Sequence, residues 1–261
     1  MKQLQFILAF LTIAVSLYAE DGIISDVDSL QTVLHSGTAN KTTIFNAPGA
    51  KFIIPVAFIS YGALAQVSKP LQRFDKNVDK EVSKHFTKHR RFDDYLEFAS
   101  VVAPYGPDLL GVKSKHNFRD KTFVVISSNL IMGSVVFTLK QTTNVERPDV
   151  SNHHSFPSGH MATAFTSAHI LYKEYKDVTP WIGITGYAVA TTVGTMRVLN
   201  RKHWLSDVVS GAGIGILSVE ISYMLLPVFH KVIGVEQGNS TLTIAPMIGN
   251  NCYGLGVAYL F

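Results

Sequence analysis

The sequence predicts an all-α bundle of about six helices, embedded in a membrane and followed by a small C-terminal β-hairpin. Only 16% of the 261 residues are charged, against about 25% in a typical soluble domain. Apolar runs that lack the alternation of a strand recur between residues 52 and 229, which indicates buried or spanning helices. Residues 241–248 and 253–261 instead have β-character, with Gly249, Asn250 and Asn251 as turn residues between them. The mean hydropathy is only +0.20, so a soluble bundle of core helices remains the alternative.

The composition also excludes several classes of protein. Sixteen Phe, ten Tyr and two Trp are too many aromatic residues for an intrinsically disordered chain. The single cysteine, Cys252, excludes a disulfide scaffold. Basic residues alternate with acidic ones and no reader motif accompanies them, so we expect no nucleic-acid partner.

The N-terminus has the pattern of a secretory signal over residues 1–19. Lys2 precedes an apolar run at 6–15, and the segment ends on the small residue Ala19. An uncleaved anchor helix is the alternative, although the apolar run is shorter than the ~20 residues of a span. We expect residues 20–50 to be an exposed lead-in, residues 51–233 the helical domain and residues 234–261 the hairpin.

Six apolar runs mark the expected helices. The run at 95–110 is the weakest, because it contains two prolines and two carboxylates. The number of true membrane spans therefore stays open. The runs lie at 52–67, 95–110, 122–139, 161–172, 181–196 and 208–229.

The most charged part of the chain, residues 69–91, predicts an amphipathic helix. Its apolar residues recur at steps of three or four and make one stripe, whereas lysines repeat every four residues on another face. Such a helix lies on an anionic membrane surface or caps the bundle as a solvated helix. The stripe is Leu71, Phe74, Val78, Val82 and Phe86, and the lysines are Lys76, Lys80, Lys84 and Lys88.

Three clusters of polar residues fall at the ends of expected helices, where functional side chains can converge. The first has the pattern Lys-x6-Arg-Pro, beginning at Lys140 and reaching Arg147. The second is Pro-Ser-Gly-His and ends at His160. The third has the pattern Arg-x5-His-x3-Asp, beginning at Arg197 and ending at Asp207.

These residue types together indicate phosphoryl transfer without a metal or other cofactor. Arginine and lysine match phosphate oxygens, and the free N–H groups of a helix start favour an anion. A histidine bonded to a carboxylate has one nitrogen left as a nucleophile. His203 and Asp207 are four residues apart, so they lie on one face if this segment is helical. His160 is then available as a general acid. No metal-binding spacing is present.

The three motifs resemble those of the type 2 phosphatidic acid phosphatase and vanadium haloperoxidase superfamily. The resemblance implies a helical bundle that forms a phosphohistidine and then hydrolyses it. One position departs from the family pattern, since Met196 stands where a serine usually precedes the third-motif arginine. By position, the resemblance implies that Lys140, Arg147 and Arg197 bind phosphate, that Ser158 and Gly159 add hydrogen bonds, that His203 is the nucleophile, Asp207 its partner and His160 the acid.

We therefore expect an enzyme that removes phosphate from a membrane lipid of the phosphatidate, undecaprenyl pyrophosphate or lipid A class. The resemblance makes vanadate an expected inhibitor. A soluble exported acid phosphatase, a vanadium haloperoxidase and a non-catalytic envelope protein remain alternatives. If the run at 95–110 does not span the membrane, residues 69–121 stay on one side of it. This segment contains 12 Lys and Arg, so we expect it on the cytoplasmic side, where basic residues are enriched. The site then faces the periplasm from the inner membrane.

Overall fold

A computed structural model describes residues 49–86, 99–233, 241–249 and 252–260. The expected signal and nearly all of the lead-in lie outside these residues, as do Lys88 and the two turn asparagines. Each strong apolar run forms a helix. The elements are α1 (Ala50–Ala65), α2 (Lys69–His85), α3 (Gly106–Leu109), α4 (Phe118–Thr143), α5 (Gly159–Tyr175), α6 (Pro180–Leu199), α7 (Leu205–Val232), β1 (Thr241–Gly249) and β2 (Cys252–Leu260).

The predicted all-α class is confirmed, and the C-terminal hairpin is present. β1 and β2 pair antiparallel, with Ile248 opposite Tyr253. The weak run at 95–110 is helical from residue 99 but is broken by a 3₁₀ turn at Ala103–Tyr105. Pro104 and Pro107 explain this break, because proline cannot donate the hydrogen bond that continues an α-helix.

Helix α7 lies at the centre of the bundle and packs on α1, α4 and α5. Small residues allow this close approach. A Cβ added at Gly211 would collide with the carbonyl oxygen of Ser158, and one added at Gly215 would collide with that of Ala162. These two contacts show that α5 and α7 run side by side in the same direction.

The remaining neighbours of this pair run in the opposite direction. Gly62 near the end of α1 lies against Ser206 and Ser210 at the start of α7. Gly194 near the end of α6 lies against Met161 at the start of α5. One end of the bundle, here called the motif end, therefore collects the starts of α5 and α7 and the ends of α1, α4 and α6.

Among the residues that the structure describes, two helices are long and apolar enough to cross a membrane, α4 with a mean hydropathy of 1.8 and α7 with 1.7. Helices α1 and α2 pass the same test together but meet at an angle of 91°. Of the sequence-predicted apolar stripe on α2, Val82 is buried, whereas Phe74 and Phe86 are about half exposed. The low charge of the bundle and the length of α4 and α7 together indicate a membrane protein.

Helix α2 lies at the motif end, which corrects one premise of the topology predicted above. Asp75 on α2 accepts hydrogen bonds from the N–H and hydroxyl groups of Ser206, at 3.2 and 2.5 Å. Lys121, in contrast, lies at the other end of the bundle, where it contacts the carboxylate of Asp108. Helix α2 and Lys121 therefore lie at opposite ends of the bundle, and the positive charge of residues 69–121 does not belong to one side of a membrane.

Candidate active site

All eight sequence-predicted site residues lie at the motif end. They are carried by the last turns of α4 and α6, the first turns of α5 and α7, and the loops between these helices. Lys140 is in the last turn of α4, Arg147 in the next loop, Ser158, Gly159 and His160 at the start of α5, Arg197 in the last turn of α6, His203 just before α7, and Asp207 in its first turn.

Hydrogen bonds to main-chain carbonyl groups link the segments that carry the three motifs. The N–H of Ser158 donates to the carbonyl oxygen of Asp207 at 3.1 Å, which ties the second motif to the third. The Lys140 ammonium donates to the carbonyl oxygen of His154 at 2.7 Å, which ties the first motif to the segment before the second. The side chains therefore converge because their main chains are bonded to each other.

His203 is almost completely enclosed, with 1% of its surface exposed. Its Nδ1 lies 2.7 Å from the carbonyl oxygen of Ser155. A carbonyl only accepts hydrogen bonds, so Nδ1 carries the proton and Nε2 carries the lone pair. Nε2 is buried and has no hydrogen-bond partner among the described residues. The tautomer is thus the one that leaves Nε2 available as a nucleophile.

The position of Asp207 differs from the sequence prediction. The spacing predicted a helical pair with a direct carboxylate–imidazole bond, but α7 begins at Leu205 and His203 precedes it. Asp207 Oδ2 lies 3.7 Å from His203 Nδ1, too far for a hydrogen bond. It accepts instead from the Ser155 hydroxyl at 2.5 Å and from the Trp204 N–H at 3.0 Å. Asp207 therefore supports the loop that holds the imidazole.

Ser155 also belongs to the site, although none of the three motifs contains it. Its hydroxyl donates to Asp207 and its carbonyl oxygen accepts from His203, so one residue orients both partners. It is fully buried. Its position two residues before the second motif is the only sequence signal for it, because half of its role belongs to the main chain.

The charges of the site act on His203. Burial lowers the pKa of its imidazole well below the ordinary value, and the positive charges of Lys140, Arg197 and Arg147 lower the pKa further. Burial and the charge of Arg197 also lower the pKa of the Arg147 guanidinium. The three cations therefore make the volume beside His203 electrically positive.

This volume has the donors that an anion needs. Arg147 Nε and the Ser158 hydroxyl are buried and have no hydrogen-bond partner among the described residues. A Cβ added at Gly159 would meet only Val136 Cγ1, at 3.7 Å, so the start of α5 has space above it. Unused donors beside a helix start are the arrangement that binds phosphate.

Comparison with known proteins agrees with this chemistry. A model described as the PAP2 superfamily matches residues 121–230. The lipid A 1-phosphatase of Porphyromonas gingivalis is 34% identical over 138 residues, which cover 52% of this chain and 31% of that protein. The chain thus matches about a third of the length of this relative.

Two solved structures are similar to the bundle. The first transmembrane PAP2 type phosphatidylglycerolphosphate phosphatase from Bacillus subtilis has a TM-score of 0.44 and 18% identity, covering 69% of this chain and 97% of that chain. Aquifex aeolicus LpxE has a TM-score of 0.42 and 22% identity, covering 59% and 94%. The match to the PAP2 superfamily model, over residues 121–230, contains all eight site residues, so this part of the chain is similar to that superfamily.

Proposed function

We propose that the protein is a metal-independent lipid phosphatase that works through a phosphohistidine on His203. The observation that carries the proposal is the buried, unpartnered Nε2 of this residue, beside three cations that act on the imidazole. A neutral imidazole with a free lone pair among positive charges is suited to attack on a phosphate that those charges bind.

The proposed reaction has two steps. Nε2 of His203 attacks phosphorus, the bond to the lipid oxygen breaks, and His160 donates a proton to that leaving oxygen. Water then attacks the phosphohistidine while His160 accepts its proton, and inorganic phosphate leaves with His203 restored. In the first step the Nδ1–H bond to the Ser155 carbonyl helps to stabilise the charge that develops on the ring.

Lys140, Arg147 and Arg197 would hold the phosphate oxygens in both steps, together with the Ser158 hydroxyl and the N–H groups at Gly159. Positive charge around the transferring group stabilises the transition state in the same way as it binds the substrate. Vanadate, which adopts the geometry of that transition state, is proposed as an inhibitor.

The substrate class is proposed from the frame and the relatives. Helices α4 and α7 are long and apolar enough to span a membrane, which supports a substrate that is itself a membrane lipid. The matched relative is named for lipid A and one similar structure for phosphatidylglycerolphosphate. We therefore propose a phosphomonoester or pyrophosphate lipid, with lipid A as the first substrate to assay, followed by phosphatidate and undecaprenyl pyrophosphate.

We also propose that the protein lies in the inner membrane, on the basis of the export-type segment at residues 1–19, and that its motif end faces the periplasm. The fold adds a condition, because α1 begins at the end of the bundle opposite to the site. If α1 spans the membrane, a periplasmic site requires that Ala50 begins on the cytoplasmic side. A cleaved signal with no crossing between residues 20 and 49 would instead deliver Ala50 outside.

The deciding experiment is phosphate release by the purified full-length protein on a panel of lipid A, phosphatidate, undecaprenyl pyrophosphate and a soluble phosphomonoester. His203→Ala should lower the rate about a thousandfold or more on every substrate. His153→Ala, in an exposed loop position, is the matched control and should retain activity. Full activity of His203→Ala would overturn the mechanism, and activity on the soluble ester alone would overturn the lipid assignment.

A further inference from the structure

A large cleft lies far from the motif residues. It has a volume of about 660 Å³ and lies between α1, α5, α6 and α7 near the end opposite to the motif end. Glu220 in this cleft is thirteen residues beyond Asp207 on the same helix, a distance of about 20 Å. The proposed phosphatase reaction uses none of its residues.

Inside the cleft, polar groups form a continuous chain within the bundle. The Tyr187 hydroxyl and His169 Nδ1 are 2.5 Å apart, and His169 Nε2 and Glu220 Oε1 are 2.7 Å apart. Lys173 donates to both oxygens of Glu220, at 2.9 Å each. Ionisable groups among membrane-facing helices are costly unless they are paired or used for binding, and here the carboxylate is fully satisfied by Lys173 and His169.

Two further lysines line the same cleft without such partners. Lys51, at the start of α1, and Lys176, after the end of α5, are both exposed and line the opening. Neither forms an ion pair with any residue that the structure describes. Their described contacts are with aromatic rings, Lys51 over Phe52 at 5.0 Å and Lys176 over Tyr172 at 5.7 Å. Three lysines against one carboxylate make the cleft positive, so it favours an anion.

The floor of the cleft is apolar. Ile54 and Phe58 of α1 and Ile216 of α7 line it, and Ile54 is 52% exposed. This side of α1 is continuous with the outer surface of the bundle, where Ile53 is also exposed. A free inorganic anion would make no use of such a surface, whereas a hydrocarbon chain would bury it.

We propose that this cleft binds an anionic phospholipid of the leaflet opposite to the motif end. Its phosphate would lie between Lys51 and Lys176, and one acyl chain would lie along Ile54 and Phe58. The ligand is thus a phosphate headgroup joined to hydrocarbon, held on the other side of the membrane from the catalytic residues. The bound lipid would link α1 to α5, two helices that α7 otherwise holds together.

The test measures binding of phosphatidylglycerol by the full-length protein in detergent, with phosphatidylcholine and glycerol 3-phosphate as comparison ligands. The double variant Lys51→Gln, Lys176→Gln should bind phosphatidylglycerol about 30-fold more weakly, from the contribution of each lysine near an anionic lipid. Lys113→Gln with Lys115→Gln is the matched control, since both lysines are exposed near the same end but do not line the cleft.

Three results would overturn the proposal. One is equal loss of binding in the control pair, which would indicate a general surface charge effect. Another is equal binding of phosphatidylcholine, and the third is equally tight binding of glycerol 3-phosphate, which would identify a soluble anion as the ligand. Ile54→Ser should weaken phosphatidylglycerol binding and leave hydrolysis of a soluble phosphomonoester unchanged, so failure here is separable from failure of the phosphatase assignment.

Discussion

Arg201 forms a two-point ion pair with Asp79, in which Nε donates to Oδ1 at 2.7 Å and Nη2 donates to Oδ2 at 2.8 Å. The pair joins α2 to the loop that carries the third motif. Arg201 also donates to the carbonyl oxygen of Pro148, at 3.1 Å, so the same guanidinium reaches the first-motif loop. Helix α2, whose sequence has the amphipathic pattern of a surface helix, is thereby fixed to the segments that carry the first and third motifs.

Breaking this pair should loosen the site. Asp79→Asn is expected to lower the free energy of unfolding by about 1 kcal/mol, a value reduced for the partial exposure of the pair. Phosphate release should fall several-fold, because the loop before α7 loses an anchor. Thermal unfolding and steady-state rates measure both effects. Glu81→Gln on the same helix, whose described partner is the exposed Lys84, should change neither, and an equal change in both variants would contradict the anchoring role.

The helices could be predicted from the sequence because long apolar runs report burial directly. The three motifs were also accessible, since their chemistry lies in side chains at fixed spacing. The role of Ser155 could not be predicted from the sequence, because it depends on a main-chain carbonyl group. The Asp79–Arg201 pair could not be predicted either, because it joins residues that are 122 positions apart. The separation of Asp207 from His203 was not predictable for a related reason: α7 begins two residues after His203, so the i, i+4 spacing does not place both residues on one helical face.

The two hydrogen-bonding groups of Ser155 can be separated by mutation. Ser155→Ala removes the bond to Asp207 but keeps the carbonyl oxygen that accepts from His203. We expect about a tenfold lower kcat, the value of one hydrogen bond of about 1.4 kcal/mol, with KM little changed. Asp207→Asn also weakens the bond to the Trp204 N–H, so it should lower kcat by about 100-fold or more. A larger loss in Ser155→Ala than in Asp207→Asn would contradict this order.

The depressed pKa of His203 predicts activity at acidic pH. A free histidine protonates near pH ~6.5, but in the folded protein burial and the nearby cations lower this pKa. The nucleophile therefore stays neutral below pH 6.5, and the acid limb of kcat/KM due to this residue should lie below that value. Lys140→Gln removes one of the charges that lowers the pKa, so its acid limb should move toward higher pH. An unmoved or lowered limb would contradict the electrostatic coupling.

The same shift has a consequence for stability. Because the unfolded imidazole binds a proton at a higher pH than the folded one, the unfolded state gains protons first as the pH falls. As the pH falls, the contribution of His203 to the free energy of unfolding begins to decline near pH ~6.5, the pKa of the unfolded imidazole. The decline continues until the pH reaches the lower pKa that His203 has in the folded protein. Urea unfolding of wild type and His203→Gln across this range should show a steeper decline in the wild type.

Cysteine labelling can determine the side of the membrane on which the site lies. In a Cys252→Ser background, Lys76→Cys places a thiol on an exposed position of α2 at the motif end, and Lys113→Cys places one before α4 at the other end. With the proposed orientation, a membrane-impermeant maleimide should label Lys76→Cys in intact spheroplasts and label Lys113→Cys only after permeabilisation. The reverse result would place the site in the cytoplasm, and labelling of both would contradict a spanning bundle.

Two glycines, Gly159 at the start of α5 and Gly211 on the neighbouring α7, have different reasons to lack a side chain. Gly211 is needed for helix packing, whereas Gly159 borders the space that we assign to the ligand. Gly211→Ala would collide with the Ser158 carbonyl and should cost about 1 to 3 kcal/mol of stability. Gly159→Ala meets only Val136, so stability should be unchanged or raised by up to about 1 kcal/mol. If phosphate lies over the start of α5, the methyl group that Gly159→Ala adds should nevertheless weaken inhibition by vanadate about tenfold. Unchanged inhibition by vanadate in a stable Gly159→Ala protein would show that the anion lies elsewhere among Lys140, Arg147 and Arg197.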